Sequence, residues 1–193
     1  MWLYLRLRLY QAKSVIYRAL FERGYGAVKI RTFASLDLLP PFLQWGRLWR
    51  ADGPRQFWDV TMRPERAQQI FAGEELTPTS GLDCEDHAAF LIAAITRSMW
   101  AGLLREVAAP PMFLAAFWCE PGNLRVDGHV VCLLKMQAGG WAYMDYKEPS
   151  AACVTVGSVA ELVFAAMAPA GSARVCWATM EESIKPAEVH WWK

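Results

Sequence analysis

The sequence predicts an α+β protein, with its helices gathered in the first half and an antiparallel sheet in the second. Three observations carry this. A long apolar pattern at helical spacing (Ala88, Leu91, Ile92, Ile95, Met99) runs from about Asp83 to Gly102. After Pro110-Pro111 the texture becomes β-branched and aromatic, in short runs separated by turn residues. Helical and strand patterns do not alternate, so helices and antiparallel strands are segregated.

The elements follow in order. Residues 1–10 alternate Leu3, Leu5, Leu7 and Leu9 with polar or aromatic neighbours, which predicts a strand with one buried face, a short basic membrane-surface segment being the lesser reading. Residues 11–23 predict a helix stopped at Gly24. Pro40-Pro41 forces a break in 34–50, and Asp52-Gly53-Pro54 is a turn. Pro64 opens and Gly73 closes a helix over about 64–72. Thr77–Gly81 is a loop leading into the long helix. Met112–Cys119, His129–Met136 and Trp141–Tyr146 predict three sequential antiparallel strands, turned at Glu120–Asn123 and Ala138–Gly140. Ser158-Val-Ala-Glu161 matches a capping box before a short helix. Ala173–Thr179 predicts another strand, and the polar tail carrying His190 is expected to fray.

Of the 193 residues, 54% are hydrophobic, enough for one domain with a sizeable core. The expected division is an N-terminal extension, 1–56, packed on a core of 57–180. Ten Trp and nine Phe are many for a chain this size, so some should line a groove or a partner surface. The net charge of +1 and the absence of a dense basic run argue against a nucleic-acid partner. No run of eighteen apolar residues exists, so no transmembrane helix is expected. Arg6 and Arg8 interrupt what would have to be a secretory signal, which predicts a cytoplasmic protein. The five cysteines (84, 119, 132, 153, 176) lack the paired spacing of a disulfide scaffold, consistent with a reducing compartment.

Three segments carry candidate chemistry: Gly81-Leu-Asp-Cys84-Glu-Asp-His87, Asp127-Gly-His129-Val-Val, and Trp141-Ala-Tyr-Met-Asp145. A thiol at the first turn of a helix sits among unpaired N–H groups and the positive end of the dipole, which favour its anion. An imidazole can take the thiol proton, and a carboxylate can hold that imidazole in one tautomer. Cys84, His129 and Asp145 have these chemistries. A turn centred on Gly139-Gly140, however, would set Asp145 opposite Leu134 rather than His129. His87, three residues after Cys84, is a second candidate base, with a solvent-facing position preferred. The acids Asp83, Glu85 and Asp86 suit a helix N-terminus by themselves, and they oppose thiolate formation. A zinc site from Cys84, His87, Cys119 and Cys132 lacks a second closely spaced ligand pair.

A helix-start Cys, a strand-start His and a strand Asp preceded by Trp141 resemble the transglutaminase core. More narrowly, Asp83-Cys84-Glu85-Asp86-x-Ala88 with His129-Val130-Val131 resembles the bacterial transglutaminase-like cysteine peptidases, the LapG-like group. The resemblance covers about residues 57–148. Leu82 stands where that group often has Gly, and His87 where an aromatic is usual. It implies a papain/transglutaminase-like core, with a nucleophile helix packed on an antiparallel sheet. It implies a Cys84–His129–Asp145 triad that hydrolyses peptide or amide bonds of a protein or peptide substrate through an acyl-enzyme. Transfer of the acyl group to an amine would use the same triad. It also implies calcium on Asp83, Glu85 and Asp86, with helix capping the preferred explanation of these acids. The oxyanion donor in the wider superfamily is a Trp or Gln side chain, and Trp58 is preferred here over Gln56 and Trp49. The alternative to an enzyme is a non-catalytic binding or assembly module, for instance of a phage or mobile element.

Overall fold

The computed structural model describes residues 2–50, 61–75, 82–119, 126–146, 157–168, 171–172, 174–180 and 186–190. Among these, five strands form one antiparallel sheet in the order β3-β2-β1-β4-β5. They are β1 (Met112–Cys119), β2 (Val126–Lys135), β3 (Trp141–Met144), β4 (Arg174–Met180) and β5 (Pro186–His190). The first three form the expected meander. β4 adds to the free edge of β1, and β5 pairs with β4, Trp177 opposite His190. The segment expected to fray is therefore the edge strand of the sheet.

Alternation along the strands fills both faces of the sheet. Phe113, Ala115, Cys132, Leu134, Ala142, Met144, Cys176 and Ala178 pack toward helix α4 (Cys84–Trp100). Leu114, Ala116, Val131, Leu133, Val175 and Trp177 pack toward Leu162, Val163 and Met167. These last three lie on α5 (Val159–Leu162) and the π turn that continues it, opened by the Ser158–Glu161 capping box. The α+β class thus holds, as a sheet covered on both faces.

Helix α4 is the centre of the molecule. Asp86 to Thr96 is buried without interruption, as befits a helix packed on several sides. Helices α2 (Leu39–Phe42) and α3 (Pro64–Phe71) complete its surroundings, with Phe33, Phe42, Phe71 and Phe90 in edge-on, tilted or stacked contact. Burying one such ring contributes about 1.5–3 kcal/mol. Past Trp100 the chain reverses at Gly102, where φ is +73°. Gly102 N–H bonds the Met99 carbonyl and Leu103 N–H that of Ser98, closing the helix as the sequence predicts.

Two expectations are corrected. Residues 1–10 are not a strand: α1 is one continuous helix, Trp2–Phe21. A short Leu/Arg run does not distinguish the two periods, and Leu and Arg are both strong helix formers. Pro40-Pro41 does not break an element either. The two prolines occupy the first turn of α2, where their missing N–H groups cost nothing. The turn at 52–54, the loop at 77–81 and the turn at 120–123 lie outside the described residues.

Candidate active site

Asp83 is the N-cap of α4, its carboxylate accepting from Asp86 N–H at 3.2 Å, which makes Cys84 the first helical residue. First-turn N–H groups have no partner within a helix, and here the Asp83 carboxylate takes the one on Asp86. Helix α4 packs against β2, and the Val130 backbone, next to His129, acts to lower the Cys84 pKa.

His129 donates from Nε2 to Oδ2 of Asp145 at 2.7 Å. The hairpin register explains how. Cys132 pairs with Met144 and Lys135 with Trp141, and Met136 N–H bonds the Gly140 carbonyl at 3.2 Å in the same register, so the turn centres on Ala138. Met136 also bridges Val107, and Gln137 N–H bonds the Glu106 carbonyl. The turn therefore lies earlier in the chain than the glycine pair suggests. One residue past the last pair, Asp145 falls opposite Val131 and reaches His129 as a diagonal neighbour. Its other oxygen, Oδ1, accepts from Tyr146 N–H at 2.6 Å. Both carboxylate oxygens are held.

Tyr146, absent from the sequence-based candidates, organises the floor of the site. Its ring stacks on Trp49 (centroids 4.9 Å apart) and contacts His87 and, edge-on, His129. Gly46 presses against it from behind. At φ +71° a Cβ there would lie 2.5 Å from the Tyr146 carbonyl oxygen, so only glycine allows the approach. Trp49 forms a parallel bridge to Leu82, two residues before Cys84. Its buried indole N–H has no hydrogen-bond partner among the described residues. Trp58 and Gln56, the other proposed oxyanion donors, lie outside the described residues. Trp141 packs with the cluster beneath α5, under the Lys135 ammonium, at the other end of β3 from Asp145.

His87 is not solvent-facing. It is 1% exposed, wedged between Phe71 and Tyr146. Its Nδ1–H donates to the Asp83 carbonyl at 2.7 Å, and Nε2 has no partner among the described residues. Helical spacing set His87 on the face of Cys84, and that face turns inward. Burial lowers its pKa to about 4, against the partial offset of the Asp83 carbonyl and the Asp145 charge. The unfolded chain takes up this proton near pH 6.5, the folded chain only near 4. Between those values the unfolded state holds more protons, so stability falls as pH drops through this window. The loss should be on the order of 3 kcal/mol. Urea denaturation of wild type and His87→Phe at pH 7 and pH 5 checks this. The variant should lose less stability on acidification, and equal losses would exclude His87 as the titrating group.

The acids around Cys84 do not converge. Asp83 caps the helix. Asp86 is buried and accepts from Met62 N–H at 2.7 Å. Glu85 accepts from Tyr10 O–H at 3.0 Å on one oxygen and from the Cys84 thiol at 3.0 Å on the other. Calcium requires six to eight oxygens around one point. Among the described residues no three His, Cys, Asp or Glu side chains are gathered for a metal, so these carboxylates as arranged do not fit a calcium site. Burial, the Glu85 and Asp83 charges and the Glu85 hydrogen bond together push the Cys84 thiol well above its ordinary pKa, opposed by Val130 N–H. Cys176 is a buried sheet thiol whose pKa rises to about 11 by desolvation, with the neighbouring Cys119 adding to it.

Compared with protein families, curated proteins and solved structures, the chain matches none.

Proposed function

We propose that this protein is a cysteine-nucleophile hydrolase of peptide or amide bonds, with a papain/transglutaminase-like core and the triad Cys84, His129 and Asp145. The observation that carries the reading is the 2.7 Å Nε2–Oδ2 bond between His129, on the strand that packs against α4, and Asp145. A neutral imidazole that donates from Nε2 keeps its lone pair on Nδ1, which makes Nδ1 the base. Cys84 gives its proton to Nδ1, and the thiolate attacks the substrate carbonyl. The tetrahedral oxyanion is stabilised by the Cys84 N–H and a side-chain donor, a role for which the unpaired Trp49 indole N–H is suited. Collapse expels the amine, which takes the proton from His129. Water, deprotonated by His129, then cleaves the thioester. An amine in place of water would give transamidation.

The test is intact-protein mass spectrometry after exposure to peptide and acyl-thioester probes. A single acyl adduct mapped to Cys84 is expected. Adducts spread evenly over the cysteines, or none with any probe, would overturn the assignment.

One observation favours the second reading, a non-catalytic module. The thiol spends its proton on Glu85 and not on the imidazole. If the site is catalytic, Glu85 restrains a competent thiol. Glu85→Gln removes the charge and should speed alkylation of Cys84 at neutral pH about tenfold, moving its rate profile to lower pH. An unchanged profile would instead mark a thiol with no accessible base, as expected of a module.

A further inference from the structure

Three polar residues tie helix α1 to the protein. Tyr10, Ser14 and Arg18 face the protein. Tyr10 O–H bonds Glu85 and the Thr61 hydroxyl, the latter at 2.6 Å. The buried Ser14 hydroxyl accepts from Thr61 N–H, and the Arg18 guanidinium donates to the Thr61 and Met62 carbonyls. The opposite face carries Leu5, Leu9, Ile16 and Leu20, each more than half exposed (58%, 56%, 52% and 59%). Their spacing places them in one row along the helix, over a length of about 22 Å. Exposed Arg8 and Lys13 border the row on its two sides, and no acidic residue occurs between Trp2 and Phe21.

We propose that α1 lies on an anionic lipid surface, its axis in the membrane plane and its leucine–isoleucine row in the boundary between headgroups and acyl chains. The charge distribution selects this occupant. A second copy would set Arg8 and Lys13 against the same cations, whereas anionic headgroups meet both flanks with the opposite charge, and hydrocarbon meets the row. Among the described residues no helix is long and apolar enough to cross a membrane, so α1 rests on the surface. Because its inner face holds Glu85 through Tyr10, a chain docked in this way keeps the candidate site close to the lipid.

Co-sedimentation of the full chain with vesicles tests the proposal. Binding to phosphatidylcholine–phosphatidylserine vesicles is expected, with little to pure phosphatidylcholine and progressive release by salt. The exposed double variant Leu9→Glu/Ile16→Glu should bind about tenfold less or weaker, with an unchanged circular dichroism spectrum. Arg8→Glu/Lys13→Glu should remove the preference for phosphatidylserine. Failure to bind either vesicle, or equal binding by the leucine–isoleucine variant, would overturn the proposal. So would a dimer at sedimentation equilibrium that the same variant dissociates, since the row would then be a self-association surface.

Discussion

Replacing Cys84 with alanine should abolish both acyl-adduct formation and turnover, a loss of at least about ten-thousandfold, while the fold remains intact. The thiol is half-buried and its hydrogen bond to Glu85 is the contact that disappears. Glu85 keeps its bond to Tyr10, so no carboxylate is left stranded in the core. Asp83 still caps α4, because its partner is a backbone N–H of Asp86. Thermal unfolding should therefore shift little, and the comparison of adduct yield with melting temperature separates a chemical role from a structural one. An adduct that persists in Cys84→Ala would move the nucleophile to another residue. The sheet thiols are poor substitutes: Cys132 and Cys176 are buried, and desolvation holds Cys176 in its protonated form.

Asp145→Asn should cost about ten-thousandfold in the acylation rate, although it changes one atom. The reason is specific to how the carboxylate is held. Oδ1 accepts from Tyr146 N–H at 2.6 Å and Oδ2 from His129 Nε2–H at 2.7 Å. In asparagine the amide oxygen must stay on Tyr146 N–H, since the amide nitrogen cannot accept. The NH₂ group then faces His129 and forces Nε2 to become the acceptor. The imidazole proton moves to Nδ1, the nitrogen that would receive the thiol proton, and the base is lost. Acylation rates measured against pH check this. The loss should be greatest near neutrality and should shrink at high pH, where the thiol ionises without help. A loss of less than about tenfold would mean that the His129–Asp145 pair serves structure and not proton transfer.

Cys84 was legible in the sequence because its placement is local. Asp83 caps the helix through a bond spanning three residues, and the apolar period of the next four turns marks where the helix runs. Strands β1 to β4 were legible for the same reason, as was the Ser158–Glu161 capping box, whereas β5 falls in the tail expected to fray. The His129–Asp145 bond was not derivable from the turn. Gly139-Gly140 marks a reversal, but the turn centres on Ala138, where Met136 pairs with Gly140 while Met136 and Gln137 are also held by residues 107 and 106, a contact that strand patterning does not encode. His87 was misplaced because sequence spacing gives the face of a helix and not what covers that face. Here Phe71 and Tyr146 cover it, and Gly46, distant in sequence from His87, lets Tyr146 approach closely.

The sequence by itself determined the segregated α+β order and the helix-start position of the thiol, because short-range capping and periodicity decide those. Tertiary structure alone decided that Asp145 reaches His129, that His87 is buried and neutral, and that Glu85 binds the thiol proton. It also decided that α1 turns its polar face inward. The inward face is polar because it meets open backbone groups of Thr61 and Met62 and the carboxylate of Glu85. Desolvating those groups without partners would cost more than leaving aliphatic side chains such as Leu5, Leu9, Val15, Ile16 and Leu20 exposed.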